Sequence, residues 1–310
     1  MMKKHTPYQF QRLMVALDAS ELDDQLMLTA SRLAQWLPID KIYFYHISKT
    51  LEIPKEVRDK FPDLAPADET AEHQIKEKLK EYFQEPNMVE MEVEVMEGDP
   101  ADKLLRLVKS KHIDLLLVGR KSSLKGSGTI PNKLVKAAPC SVMFVPEEAP
   151  DNFKEILVPL DFSESATFAL NQAVNLAKSC EGEIICHNVV PVPTGYHTSG
   201  KTREEFGEIM QGHAKKEYEH FMKSYDAQGV RVRPFFETND DNNPADEIYE
   251  RAVSEGVDLI VLGSKGRKGI SNVLLGSVAK RVLDFSKDIP VLVVKHKGEG
   301  LNFLQALLRL

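Results

Sequence analysis

The stretch DLIVLGSKGRKGISNVLLGSVAKRVL (258–283) contains a short apolar run, a glycine-rich loop and the start of a helix. DLIVL (258–262) is typical of a strand buried on both faces, because it is short, apolar and followed by turn residues. Gly263 and Gly266 come directly after it, and the pair at 276–277 opens a helical pattern. A strand that leads through such a loop into a helix is typical of parallel sheets, so the stretch predicts an α/β fold.

The two halves of the chain repeat each other. RLMVALDAS (12–20) matches EILVPLDFS (155–163), and GDPADKLLRLVKSKHIDLLLVG (98–119) matches NNPADEIYERAVSEGVDLIVLG (242–263) without a gap. Each half alternates strand and helix patterns in the order βαβαβαβαβ. This duplication predicts two α/β domains, each with a parallel sheet covered by helices on both faces. The acidic, proline-containing segment at 147–152 marks the boundary between them.

The length of 310 residues also predicts two domains. We place them at residues 1–149 and 150–297, followed by an apolar C-terminal tail at 298–310. The tail is too short to form a stable helix alone in water. We therefore expect it to pack within its own chain, with docking on another chain as the alternative.

Composition excludes several classes of protein. Hydrophobic residues make up 42% and charged residues 28% of the chain, which is ordinary for a soluble globular protein. A net charge of −7 argues against non-specific nucleic-acid binding. No apolar run reaches the roughly 20 residues of a membrane span, and the three cysteines fit no paired framework. We expect a cytoplasmic protein with neither a nucleic-acid nor a membrane partner.

The glycine-rich loop predicts a phosphate site. Its skeleton is Gly263, two residues, Gly266, nine residues, Gly276 and Ser277. Glycines let a ligand approach backbone N–H groups, and a helix N-terminus favours negative charge. In open parallel sheets the ligand lies at the carboxyl ends of the strands, where Asp161 and Val189 are also expected. The spacing matches neither the Walker A loop nor the dinucleotide fingerprint. The alternative is that these glycines only make tight turns.

The G-x2-G-x9-G-S spacing resembles the nucleotide-binding motif of the universal stress protein family. ILVPLDFSESA, PADEI and PVLVV resemble other blocks of that family in the expected order, and the likeness covers about residues 10–147 and 153–296. The chain thus resembles a tandem universal stress protein. The resemblance implies two Rossmann-like or flavodoxin-like (adenine nucleotide alpha hydrolase-like) domains, each a five-stranded parallel sheet sandwiched by helices. It also implies ATP as the ligand, bound with or without Mg²⁺.

Carried over by position, the resemblance places Asp161 and the backbone near Val189 beside adenine and ribose, and the glycine-rich loop around the triphosphate. The implied cofactor-binding residues are Pro159, Asp161, Val189, Gly263, Ser264, Gly266, Arg267, Gly276, Ser277 and Val278. Family members pair through their last strands. The resemblance therefore implies that 142–146 and 291–295 meet inside one chain, and a homodimer is a further option.

The first half departs from the motif. Ser122 stands for Gly266, Asn132 for Gly276 and Lys133 for Ser277, and five residues are missing before the last strand. We expect these side chains to crowd the phosphate path, and we predict that this half does not bind ATP. The alternative is an anion site made of cationic side chains. Its members are Arg120, Lys121, Lys125 and Lys133.

Other polar residues have plainer interpretations. Ser20 and Ser163 are predicted helix N-caps. His46 and His187, at strand ends, are predicted to be structural, because no matched nucleophile and acid accompany them. The alternative is that histidines and a cysteine form a metal site. Their spacing matches no compact zinc pattern, and we predict no metal-ligating residues. Its members would be Cys186, His187, His197, His213 and His220.

Three functions follow from these patterns. The first is a nucleotide-binding stress-response module with ATP in the C-terminal domain and no catalytic residues, in which slow ATP hydrolysis is compatible with the sequence. The second is a ligand-free dimerisation scaffold. The third is an adenine-nucleotide-dependent enzyme, but the S-G-G-x-D-S and H-I-G-H signatures of such enzymes are absent from the sequence.

Overall fold

The computed structural model describes most of the chain. The described residues are 9–52, 60, 66–84, 89–121, 129–239, 244–266, 275–296, 299 and 304. They form two compact units, one from residues between 9 and 148 and the other from residues between 149 and 296. Within the described residues, no helix has both the length and the apolarity needed to cross a bilayer.

The first unit is a five-stranded parallel sheet flanked by helices. Its strands are β1 (Arg12–Leu17), β2 (Lys41–Ser48), β3 (Glu90–Glu97), β4 (Leu115–Arg120) and β5 (Ser141–Pro146). Its helices are α1 (Leu22–Trp36), α2 (Ala67–Tyr82), α3 (Pro100–Ser110) and α4 (Thr129–Ala137). The strands lie in the order β3-β2-β1-β4-β5, and each neighbouring pair is parallel.

The second unit repeats this architecture. Its strands are β6 (Glu155–Pro159), β7 (Glu183–Pro191), β8 (Val232–Asn239), β9 (Leu259–Gly263) and β10 (Val291–Val294). Its helices are α5 (Glu164–Cys180), α6 (Arg203–Ser224), α7 (Ala245–Ser254) and α8 (Ser277–Phe285), with a short 3₁₀ helix at Thr194–Ser199. The order β8-β7-β6-β9-β10 is again parallel throughout. The α/β fold with two five-stranded sheets is thus confirmed.

Three of the strands are buried on both faces. Every residue of β5 and of β10 is buried, and the residues of β9 before Gly263 are buried as well. Such strands are continuous apolar runs, because helices cover both faces of a parallel sheet. Their carboxyl ends therefore remain the open edge at which polar residues can meet a ligand.

An aspartate at the start of β9 holds the neighbouring strand in register. Asp258 Oδ2 accepts hydrogen bonds from the backbone N–H groups of Lys154 and Glu155, at 2.8 and 3.0 Å. Asp114 does the same for the N–H groups of Gln11 and Arg12 at the start of β1. The recurrence of this aspartate in both repeats is therefore explained by strand pairing rather than by ligand binding.

The helix caps agree with the sequence in one copy only. Ser163 caps α5, since its hydroxyl oxygen accepts a hydrogen bond from the Ala166 N–H at 3.2 Å. The expectation for Ser20 was wrong. The N-cap of α1 is Glu21, and the Ser20 hydroxyl instead donates to Asp18 at 2.5 Å. Only two residues of the C-terminal tail, 299 and 304, are described. Leu304 is fully buried. Packing of the tail within its own chain and docking on another chain both stay predictions.

Candidate functional site

A cleft of about 300 Å³ lies at the carboxyl ends of β6, β7 and β9, next to the start of α8. We call it the second cleft, because it belongs to the second unit. It lies where an open parallel sheet offers a site to a ligand. Its volume falls within the usual range for small-molecule sites. It is lined by Pro159, Leu160, Asp161, Ala166, His187, Asn188, Val189, Pro244, Ile248, Leu262, Gly263, Lys265, Gly266, Gly276, Ser277, Val278 and Ala279.

Most of the residues carried over from the family motif are found in this cleft. Eight of them line the second cleft: Pro159, Asp161, Val189, Gly263, Gly266, Gly276, Ser277 and Val278. Ser264 is completely buried and is not part of the lining. Arg267 lies outside the described residues.

Sequence reasoning missed several lining residues. Pro244 and Ile248 come from the start of α7, and the repeated PAD block was the signal that could have identified them. Asn188 gave no such signal. Its side-chain amide donates to the Leu160 carbonyl at 2.6 Å, so it joins β7 to the end of β6 under the cleft. Lys265 is a further lining residue, and it is a basic one.

Asp161 is held in a tight turn. Its Oδ1 accepts hydrogen bonds from the Ser163 backbone N–H at 3.0 Å and from the Ser163 hydroxyl at 2.5 Å. The turn places Phe162 in the left-handed region, with a φ of 60°. A Cβ on Gly266 would lie 3.2 Å from Asp161 Oδ2. The segment 263–266, which we call the glycine loop, therefore passes directly against this carboxylate.

The other side of the glycine loop contacts the start of α8. The Gly276 backbone N–H donates to the Ser264 carbonyl at 2.7 Å, and a Cβ at position 276 would lie 3.3 Å from that oxygen. The helix then begins at Ser277. The first N–H groups of a helix have no partner within it and carry the positive end of the helix dipole. Together with Lys265, they make this part of the cleft suitable for an anion.

His187 lies under the second cleft and is almost completely buried. Its Nε2 is 2.9 Å from Glu237 Oε2, and Glu237 also forms an ion pair with Arg251 at 3.2 Å. Burial lowers the pKa of the His187 imidazole to about 4, although the Glu237 carboxylate acts in the opposite direction. The imidazole is therefore neutral near pH 7, in agreement with a structural role.

We expect His187 to make the second unit sensitive to acid. Its pKa is about 4 in the folded state and near 6.5 when unfolded, so the unfolded chain binds more protons between these values. The stabilisation is fully present above pH 6.5 and falls as pH is lowered toward 4, by roughly 3 kcal/mol in total. Urea unfolding at a series of pH values measures this slope. His187→Gln should flatten it.

The matched control for this prediction is His46→Gln, which removes the imidazole at the equivalent strand end of the first unit. This variant should keep the acid-side fall of the wild type. An unchanged slope in His187→Gln would assign the acid sensitivity to other groups.

The proposed metal alternative finds no geometric support in the part of the chain that the structure describes. No group of three His, Cys, Asp or Glu side chains there is placed to hold a metal ion. His213 and His220 are both exposed on α6.

The equivalent cleft of the first unit is larger, at about 780 Å³. Asn132 is part of its wall, but the expected crowding of the phosphate path also involves Ser122 and stays a prediction. Ser122 lies outside the described residues. In this first cleft, Lys121 Nζ lies 2.8 Å from Asp18 Oδ2. Burial opposes ionisation of Asp18, but its hydrogen bonds with Lys121 and Ser20 prevail and lower its pKa.

The cationic side chains of the first unit are engaged in other contacts. Lys133 Nζ contacts Asp102 Oδ1 at 2.7 Å, so it is held toward α3. The side chain of Arg120 is buried, and Lys125 lies outside the described residues. The alternative anion site is therefore not assembled among its described members.

Comparison with known proteins agrees with this architecture. The model of the universal stress protein family matches residues 9–146 and again residues 152–295. Universal stress protein MJ0531 of Methanocaldococcus jannaschii is 33% identical over 145 residues, which cover 46% of this chain and 82% of that protein. The crystal structure of a universal stress protein from Archaeoglobus fulgidus has a TM-score of 0.62 and 18% identity, over 93% of this chain and 97% of that one.

A second solved structure, the functionally unknown protein PA1789 of Pseudomonas aeruginosa, has a TM-score of 0.68 and 17% identity over 97% of both chains. At such identities the two structures show the fold alone. The family model covers nearly the whole chain in two consecutive matches. The chain therefore belongs to the universal stress protein family, as a tandem member.

Proposed function

We propose that this protein is a nucleotide-binding stress-response module that holds ATP in its second cleft. The observation that carries the proposal is the convergence of Asp161, the glycine loop and the start of α8 on one cleft. A carboxylate, bare loop backbone and a helix N-terminus match the ribose hydroxyls and the phosphates of a nucleotide.

The lining also offers a partner for each part of ATP. Val189 and Ile248 supply apolar surface suited to adenine, and Asp161 supplies a carboxylate suited to the ribose hydroxyls. Gly266, Ser277 and Val278 supply backbone N–H groups that favour the triphosphate. The cofactor-binding role of Arg267 stays a prediction. Mg²⁺, if present, would be held mainly by phosphate oxygens and water, as this ion prefers.

We propose that the first cleft does not take ATP. Asn132 and Lys133 replace the glycine and serine that open α8 in the second unit. These two positions lie inside α4, which begins at Thr129, so the first cleft lacks the Gly-Ser pair at its helix. Lys133 is bound to Asp102, and the Asp18 carboxylate is ion-paired with Lys121.

We propose a regulatory rather than catalytic protein. The His187 imidazole is buried, and its Nε2 is engaged with Glu237, which favours a structural role over catalysis. Any ATP hydrolysis should accordingly be slow. The predicted pairing through 142–146 and 291–295, and the cytoplasmic location, stay predictions.

Native mass spectrometry with added ATP tests the proposal. We expect one nucleotide per chain, with saturation below millimolar ATP, and titration calorimetry should give the same stoichiometry. Repeating the titration with EDTA measures the contribution of Mg²⁺. No binding at millimolar ATP would favour the ligand-free scaffold, and two nucleotides per chain would contradict the exclusion of the first cleft.

A further inference from the structure

Ser165, on the first turn of α5, reaches the glycine loop. Its hydroxyl oxygen accepts a hydrogen bond from the Lys265 backbone N–H at 3.2 Å. Lys265 lies between Gly263 and Gly266, so the contact fixes the centre of the glycine loop. Neither the duplication nor the family motif singled out Ser165.

The backbone around this contact is tightly packed. A Cβ on Gly263 would lie only 2.7 Å from the backbone C and O of Ser165. On the other side of the loop, the Ser264 carbonyl accepts a hydrogen bond from the Gly276 N–H. The loop is therefore held between the first turn of α5 and the start of α8.

The first unit lacks this contact. Leu22 lies four residues after Asp18, as Ser165 lies four residues after Asp161, and an aliphatic side chain cannot accept a hydrogen bond. Leu22 instead packs against Gly119, where a Cβ would come within 2.3 Å of its Cδ2. The two copies thus differ in how the segment after β4 or β9 is held.

We propose that Ser165 is a positioning residue for the polyphosphate of the bound nucleotide. This inference rests on the proposed function. Ser165 does not line the second cleft, so it acts through the glycine loop. By accepting the Lys265 N–H, it keeps that loop in one conformation before the ligand arrives. A loop that is already ordered loses less conformational entropy on binding. The leucine of the first copy leaves that loop without the same restraint.

The test compares ATP with adenosine in Ser165→Ala. Loss of one hydrogen bond that orders the loop should weaken ATP binding by about five- to tenfold. Adenosine has no phosphate, so its affinity should stay within about twofold of wild type. Ser165→Thr keeps the hydroxyl and should restore ATP binding. Ser179→Ala, which removes an exposed hydroxyl near the end of the same helix, is the matched control and should change neither affinity.

Amide hydrogen exchange of the ligand-free protein gives a second measurement. Ser165→Ala should accelerate exchange at the Lys265 N–H, and Ser165→Thr should not. Unchanged exchange together with wild-type ATP affinity would overturn the inference while leaving the proposed function intact. Equal losses for ATP and adenosine would also overturn it, since they would indicate general damage to the cleft. Failure of the wild type itself to bind ATP would instead refute the proposed function.

Discussion

Gly276→Val should weaken ATP binding by about 100-fold or more, equivalent to roughly 3 kcal/mol. A Cβ at this position already lies 3.3 Å from the Ser264 carbonyl oxygen, so two further methyl groups must displace the glycine loop or enter the cleft. Either outcome disturbs the start of α8, where the phosphates are proposed to bind. Titration calorimetry with ATP measures the loss, and circular dichroism shows whether the fold is kept.

Two variants make this prediction specific. Gly276→Ala adds only the Cβ, and a contact of 3.3 Å requires a shift of a few tenths of an ångström, so its loss should be intermediate. Asn132→Val changes the equivalent position of the first unit and should leave ATP affinity unchanged. Wild-type affinity in Gly276→Val, or an equal loss in Asn132→Val, would place the nucleotide elsewhere.

The fold could be predicted from the sequence because its signals are local and occur twice. DLIVL, two glycines and a helix start specify a βα unit, and the gapless repeat that ends at Gly263 duplicates the helix and strand that lead into it. Burial of β5, β9 and β10 then follows from their apolar composition. The aspartates before β4 and β9 also occur in both repeats. Each accepts hydrogen bonds from two backbone N–H groups of the neighbouring strand.

The candidate site could be predicted only in part. Backbone features such as Gly266 and Gly276 leave a sequence signal, since few other residues fit there. Side-chain partnerships leave none: the ion pair between Asp18 and Lys121, both of which line the first cleft, could not be predicted from the sequence. Ser20 was wrongly taken for a cap for the same reason, because its hydroxyl donates to Asp18.

The volume of the two clefts was also beyond sequence reasoning. Replacing glycine by asparagine at position 132 predicts crowding if the surrounding backbone is unchanged. The first cleft is nevertheless larger than the second, at about 780 against 300 Å³. The proposed exclusion of ATP from the first unit therefore rests on paired charges and on Asn132 and Lys133 in place of the Gly-Ser pair.

Gly263→Ala should destabilise the second unit by about 3 kcal/mol, the upper end of the usual cost of overpacking. The new Cβ would lie 2.7 Å from the backbone C and O of Ser165, and backbone atoms cannot rotate away as a side chain can. The first turn of α5 must therefore move away from β9. Urea unfolding followed by circular dichroism measures the loss.

Gly119→Ala provides the matched control in the first unit. Its Cβ would meet Leu22 Cδ2 at 2.3 Å and Cγ at 2.9 Å, which are side-chain atoms. Leu22 lines the larger first cleft and can rotate into it, so we expect a loss of about 1 kcal/mol. The single tryptophan, Trp36, lies on α1 and reports this loss by fluorescence. If Gly263→Ala costs no more than Gly119→Ala, the close approach of α5 to the glycine loop does not constrain the second unit as the structure indicates.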